Sequence, residues 1–289
     1  MRSLYALILV FGCSGATASS GFSSLRPACP DGQRFDGTGC KPFGSGASMI
    51  DSAEALLTDG EPAQAVAVIA RAVAQGPHRH RTHVQMYEQL GRAYAFQDKE
   101  PEAVDAYVKL LALSPGHLLS YHLSAKATFK FEKARLKLEG TPDTSISVGW
   151  PDELDTKRPM PIDVEVVADP QRLLSRAVLY VERNGERRAV DLELPAPGVR
   201  KRVMLPALGT ASAETLKVHL VGLDQGGNEV ALWAAGKPRS IFVDYTPPTP
   251  WYRNLKIMIP AGAVVVAAVG LGVYLIVRPE PDPGGVGQF

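Results

Sequence analysis

The hydrophobic period of the chain changes near Gly140, and this change constrains the fold more than any other feature. Before Gly140 the apolar residues recur at helical spacing. Beyond it they alternate with charged residues, as from Ile162 to Val166, which is typical of strands with one buried face. A chain of 289 residues is long enough for about two domains. We therefore expect a multidomain α then β fold, with a helical domain at 48–140 and a β-sandwich at 141–246.

The helical part contains a repeated pattern. Its defining positions are Tyr87, Leu90, Gly91, Tyr94, Ala103, Tyr107 and Pro115. These positions resemble the tetratricopeptide repeat, a pair of antiparallel helices of about 34 residues. An upstream copy from Glu61 to Pro77 matches the second half of the pattern, with a loop insertion expected at 76–81. Two repeats leave one end of the stack open, so we expect a further helix within 118–138 to cover it.

The resemblance implies that partners bind to side chains on the inner helices of the repeats. In the second repeat, the polar residues of the first helix are Gln85, Glu88, Gln89 and Arg92. A second candidate surface is the basic stripe of Lys126, Lys130, Lys133 and Lys137. This stripe is either a solvated face of the covering helix or a contact for an acidic partner or lipid headgroups.

The residues beyond Gly140 predict about seven short strands. Runs at 177–183 and 186–194 flank Asn184-Gly185, the dipeptide favoured in two-residue hairpin turns. Further strands are predicted at 201–205, 215–223, 229–233 and 240–245. Many short strands at this spacing are similar to an immunoglobulin-like or fibronectin-type sandwich, with a small barrel as the alternative.

Both ends of the chain carry apolar segments that are typical of export and membrane insertion. Residues 1–18 predict a signal peptide, with lipoprotein processing at Cys13 as the alternative. Residues 257–277 contain no charge and predict a transmembrane helix, between a Pro-rich spacer at 247–256 and a short tail at 278–289. The predicted localisation is a single-pass protein of a bacterial inner membrane with its folded domains in the periplasm, or else a lipoprotein.

The cysteines agree with export. Cys29 and Cys40 form a pair within a Ser/Gly-rich segment at 19–47. An even number of cysteines in an oxidising compartment favours a disulfide over two free thiols.

Few residues carry catalytic or metal-binding signals. Within the inserted loop, His78, His80 and His83 are candidate metal ligands, but Arg79 and Arg81 between them repel a cation, so a solvated basic loop is favoured. Phosphate-loop, zinc-protease and serine-hydrolase motifs are absent. The formal charge of +1 gives no general attraction to nucleic acid. We therefore expect no nucleic-acid partner, metal, cofactor or catalytic residues, and a small-molecule ligand is disfavoured.

Together these features predict a membrane-anchored, exported scaffold or adaptor that binds protein partners of the cell envelope through its helical repeats. One alternative is a cell-wall carbohydrate-binding protein, for which Tyr180 and Trp233 are the available aromatic residues. The other alternative is an envelope enzyme whose catalytic groups are dispersed along the chain.

Overall fold

Helices form the first large part of the chain. The computed structural model describes residues 21–35, 39–120 and 124–248. These residues contain five α-helices: α1 (Gly46–Thr58), α2 (Pro62–Ala74), α3 (His80–Phe96), α4 (Glu100–Leu113) and α5 (Ala125–Lys137). Pro62 and Pro101 lie in the first turns of α2 and α4, where a missing backbone N–H costs little.

The helices pack as two successive pairs with a fifth helix against the second pair. Helix α1 packs on α2 and α3 packs on α4, while α3 also contacts α1, α2 and α5. A Cβ atom at Gly91 would lie only 2.4 Å from Cε1 of Tyr107, so a glycine is required where α3 and α4 approach. The ring of Tyr107 meets Phe131 of α5 edge to face, with centroids 5.5 Å apart. A small residue and an aromatic residue thus meet where α3 and α4 pack together.

Eleven short strands occur in the described residues, and every ladder between them is antiparallel. They are β1 (Arg26–Pro27), β2 (Gln33–Phe35), β3 (Cys40–Pro42), β4 (Ser145–Gly149), β5 (Met160–Ala168), β6 (Arg176–Arg183), β7 (Glu186–Glu193), β8 (Arg200–Leu205), β9 (Glu214–Leu223), β10 (Glu229–Trp233) and β11 (Arg239–Val243). One sheet has the order β1-β7-β6-β9-β10, with β11 also paired to β9, and a second sheet has the order β4-β5-β8. Strands β2 and β3 form a separate hairpin.

The two larger sheets pack face to face. The inward residues of β5, such as Ile162 and Val164, share one hydrophobic core with Leu179 of β6 and Leu220 of β9. The described strands of the two sheets share no ladder hydrogen bonds, so they form two layers rather than the small barrel considered above. This β-rich region fits the predicted immunoglobulin-like sandwich. The predicted hairpin is confirmed, because β6 and β7 flank Asn184-Gly185 and both turn residues have positive φ.

The same hydrophobic core continues into the helices. It includes Tyr107, Leu110 and Phe131 of the helical region together with the sandwich residues. A smaller cluster around Ile69 and Met86 fills the space between α1, α2 and α3. The helices and the sandwich therefore belong to one compact unit among the described residues up to Tyr245.

The segment before the helices belongs to the β region. Strand β1 pairs with β7 at one edge of the larger sheet, and Phe22 is buried against the sandwich core. The predicted disulfide is confirmed, because Cys29 and Cys40 are bonded and close the β2–β3 hairpin. The described part of the chain thus starts on the sandwich, forms the helices, and returns to the sandwich at β4.

The predicted fold class is wrong in one part, since none of the described helices is long and apolar enough to cross a membrane. The longest, α3, has 17 residues and carries several charged and polar side chains, whereas a span needs about 20 mostly apolar residues. The predicted signal peptide, Cys13 and the predicted transmembrane helix at 257–277 lie outside the described residues. We correct the fold class of the described residues to three short strands, then five helices, then a region of antiparallel sheets. The predicted localisation as a single-pass inner-membrane protein loses its support with the same finding.

The disulfide can be tested by thiol labelling. In a chain with Cys13→Ser, the unfolded protein should take up a maleimide only after reduction, because Cys29 and Cys40 are then the only cysteines and are bonded to each other. Mass spectrometry of the labelled chain measures the uptake. Two labels per chain without a reductant would contradict the bridge.

Candidate functional site

A polar groove lies between α1 and α3. Its volume is about 570 Å³. It is lined by all four α3 residues expected to bind partners, and by residues that the sequence pattern did not single out: Ala47, Ile50, Asp51 and Glu54 of α1, Arg81, and Ser120. We call this surface the α1–α3 groove.

Helical spacing explains why the four predicted residues meet. Gln85, Glu88, Gln89 and Arg92 stand at positions i, i+3, i+4 and i+7, which lie on one face of a helix. The α1 wall was missed because the first half of the upstream repeat is degenerate. The spacing of Asp51 and Glu54, three residues apart, was the available signal.

The charged side chains of the α1–α3 groove compensate each other in part. Nη1 of Arg92 donates to Oε1 of Gln89 at 3.0 Å and lies 3.6 Å from a carboxylate oxygen of Glu54. The Glu88 carboxylate lies 3.0 Å from Nε2 of His117, which follows α4. The Nε atom of Arg92 is buried and has no hydrogen-bond partner among the described residues. The groove therefore combines paired charges with one buried donor that a ligand could use.

Three of the four lysines of the predicted basic stripe bind carboxylates within the fold. Nζ of Lys126 donates to both carboxylate oxygens of Asp98 at 2.8 Å. Lys130 and Lys133 both donate to Glu100, and these hydrogen bonds lower the pKa of Glu100 to about 2. Lys137, at the end of α5, is exposed. The stripe therefore joins α5 to the α3–α4 turn and to the start of α4.

The inserted loop is not the solvated loop that we expected. His78 and His83 are only 1% and 2% exposed, because the loop packs against the turn between β9 and β10. The backbone N–H of His78 donates to Oδ1 of Asn228 at 3.0 Å, and its ring Nε2 donates to the carbonyl of Ala72 at 2.6 Å. A Cβ atom at Gly76 would lie 2.3 Å from Oδ1 of Asn228, so a glycine permits this approach.

Glu229 of β10 connects three distant parts of the chain. Its carboxylate accepts from the backbone N–H of His80 at 2.9 Å and forms a salt bridge with Arg34 of β2. Its carbonyl oxygen lies 3.2 Å from Nδ1 of His83, which therefore donates to it. The side chains of Arg34 and Glu229 are 4% and 14% exposed, so the ion pair is largely shielded from solvent. We call these contacts of Glu229, with those of Asn228, the junction.

Burial also affects the titration of two histidines. It lowers the pKa of His83 below the ordinary 6.5, although the Glu229 carbonyl and the Asp224 carboxylate act in the opposite direction. It lowers the pKa of His219 to about 4, and the charge of Arg187 acts in the same direction. His219 stacks on Tyr180 with ring centroids 4.7 Å apart.

The aromatic residues considered for carbohydrate binding do not share a face. Tyr180 pairs with His219 across β6 and β9, whereas Trp233 pairs with Leu220, the next residue of β9. Adjacent residues of a strand point to opposite faces of the sheet, so Tyr180 and Trp233 lie on opposite faces. Trp233 instead meets Trp150 edge to face. This arrangement does not form the row of aromatics that a sugar chain would require.

No residues in the described ranges form a group of three or more His, Cys, Asp or Glu side chains able to hold a metal ion. Asp152 and Glu153 are exposed in the connection before β5.

Comparison with protein-family models, with curated proteins and with solved structures finds no match. The function proposed below therefore follows from the geometry of the α1–α3 groove.

Breaking the ion pair in the junction should destabilise the fold. Glu229→Gln should lower the free energy of unfolding by about 2–4 kcal/mol, because it leaves the buried guanidinium of Arg34 uncompensated. Glu165→Gln is a matched control, since its partner Arg200 is 74% exposed, and it should cost less than about 1 kcal/mol. Urea denaturation measures both. Equal losses in the two variants would contradict the role of Glu229.

The buried histidines should make stability depend on pH. A folded-state pKa below 6.5 means that the unfolded chain binds protons first as the pH falls, so stability decreases below about pH 6.5. Carboxylates with lowered pKa values add to this loss only below about pH 4.5. Replacing both His83 and His219 by Gln should flatten the free energy of unfolding between about pH 7 and about pH 5. An unchanged slope would show that these imidazoles are not the source.

Proposed function

We propose that this chain is a protein-binding scaffold that holds a segment of a partner in the α1–α3 groove. The observation that carries the proposal is the presence of Gln85, Glu88, Gln89 and Arg92 in one groove with the side chains of α1. The proposal assigns no catalytic step to the chain.

The helix packing supports the tetratricopeptide resemblance. The helices α1 and α3 are the first members of two successive helix pairs, and they contact each other directly. In such a stack the first helices form the inner wall, which is where the resemblance implies that a partner binds. Helix α5 contacts both α3 and α4, as expected of a helix that covers the end of the stack.

The chemistry of the α1–α3 groove favours a polar segment of polypeptide. Its wall carries carboxylates, guanidinium groups and carboxamides, which can bind peptide N–H and carbonyl groups. The unpartnered Nε of Arg92 lacks an acceptor that a backbone carbonyl or a carboxylate of the partner would supply. A small apolar ligand would leave these groups unsatisfied.

We propose further that the β region is an immunoglobulin-like sandwich that serves as a rigid support or a second contact. The strand orders β4-β5-β8 and β7-β6-β9 support this assignment, since they give two antiparallel layers around one core. The junction supports a rigid arrangement, because hydrogen bonds join α3 to β10 and the loop before α3 to the turn before β10.

The proposal can be tested by affinity capture after cross-linking in the cells that make the protein. The best positions for substitution are exposed residues of the groove without such contacts. Glu88 already contacts His117, and Arg92 already contacts Glu54 and Gln89, so changing either would also disturb the fold. Asp51→Lys combined with Gln85→Glu should reduce the recovery of the main partner by about tenfold, because two contact groups change charge. The melting temperature should change by less than about 4 °C, since both side chains are exposed.

A matched control changes the same charges away from the groove. Asp59→Lys with Gln75→Glu alters two exposed positions at the C-terminal ends of α1 and α2, neither of which lines the groove. This control should recover the partner in full. Recovery of the same proteins in the same amounts by the groove variant would contradict binding in the α1–α3 groove.

A further inference from the structure

A second groove lies where α5 ends and β4 approaches, away from the α1–α3 groove. Its volume is about 370 Å³. The aliphatic part of its wall includes Leu111 of α4, Leu136 of α5 and Leu138, which follows α5. Three prolines also line it: Pro115, Pro142 and Pro170. Leu136 is 67% exposed at this site. We call it the proline-lined groove.

The prolines restrict how a ligand can bind here. A proline has no backbone N–H, so this wall offers few donors for the ladder hydrogen bonds of an added strand. An occupant must instead be recognised by insertion of apolar side chains and by charged groups at the rim.

The rim carries uncompensated negative charge. Glu139 and Asp143 are exposed, and neither carboxylate has an ion-pair partner among the described residues. Among the described residues that line this groove, Arg135 is the one cation; it is 3.2 Å from the carboxylate of Glu132 and lies over the ring of Phe131 at 5.1 Å. The two free carboxylates therefore define the charge that a ligand meets.

We propose that the proline-lined groove docks a short segment of a partner protein that inserts an aliphatic side chain and places a lysine or arginine beside Glu139 and Asp143. The apolar wall holds the aliphatic group, and the two carboxylates select the cation. This contact uses none of the residues of the α1–α3 groove, so its test is independent of the function proposed above.

The test compares two synthetic peptides of equal length, one of alternating leucine and lysine and one of alternating leucine and glutamate. Fluorescence anisotropy measures their binding to the full chain. The lysine peptide should bind about tenfold more tightly, and Glu139→Gln with Asp143→Asn should reduce that preference to about twofold. Leu136→Ser should weaken the lysine peptide about fivefold without unfolding the chain, since this leucine is largely exposed.

A charge-matched control separates local from general attraction. Asp152→Asn with Glu153→Gln removes two exposed carboxylates elsewhere and should leave the preference unchanged. The formal charge of the chain is only +1, so its overall field favours neither peptide strongly. Three results would each overturn the proposal: no binding of the lysine peptide, equal binding of both peptides by the unaltered chain, or a preference lost equally in the control.

Discussion

The buried carboxylate of Glu229 is the contact on which the arrangement of this molecule depends. It binds Arg34 of the N-terminal hairpin and the backbone N–H of His80 at the start of α3, and it stands on a strand of the sandwich itself. A largely buried charge is costly unless it is paired and hydrogen-bonded. The three segments must therefore come together for any one of them to be stable in place. The buried ion pair therefore determines the relative positions of the three segments more than it raises the free energy of unfolding.

Features that depend on neighbours in the sequence could be predicted. The turn at Asn184-Gly185 follows from residues that tolerate positive φ, and Gly91 indicates a close helix contact because its Cβ would meet Tyr107. The polar face of α3 was found for the same reason, since helical spacing alone places Glu88 and Arg92 together. Local patterns thus determined the helix pairs, most strands and one wall of the α1–α3 groove.

Features that depend on distant residues could not be predicted. His78 and Asn228 are 150 positions apart, and Arg34 and Glu229 are 195 positions apart, so no pattern in either segment reveals the other. The inserted loop consequently resembled a solvated basic segment, although His78 and His83 are buried in the junction. The pairing of β1 with β7 was missed in the same way, because a strand of two residues is too short to show an alternation of apolar and polar side chains. The basic stripe of α5 gave no sign that Asp98 and Glu100 would accept its hydrogen bonds.

The two grooves differ in how they can discriminate between partners. In the α1–α3 groove, Arg92 is near Glu54 and Glu88 is near His117. A charged group of a ligand would therefore have to replace an ion-pair partner that is already present. Such exchange contributes little net Coulomb energy, and selection there must come from hydrogen-bond geometry and shape. In the proline-lined groove, Glu139 and Asp143 have no such partners among the described residues, so a cation gains energy directly. Because the junction joins the helices to the sandwich, a protein that used both grooves would be selected by geometry in one and by charge in the other.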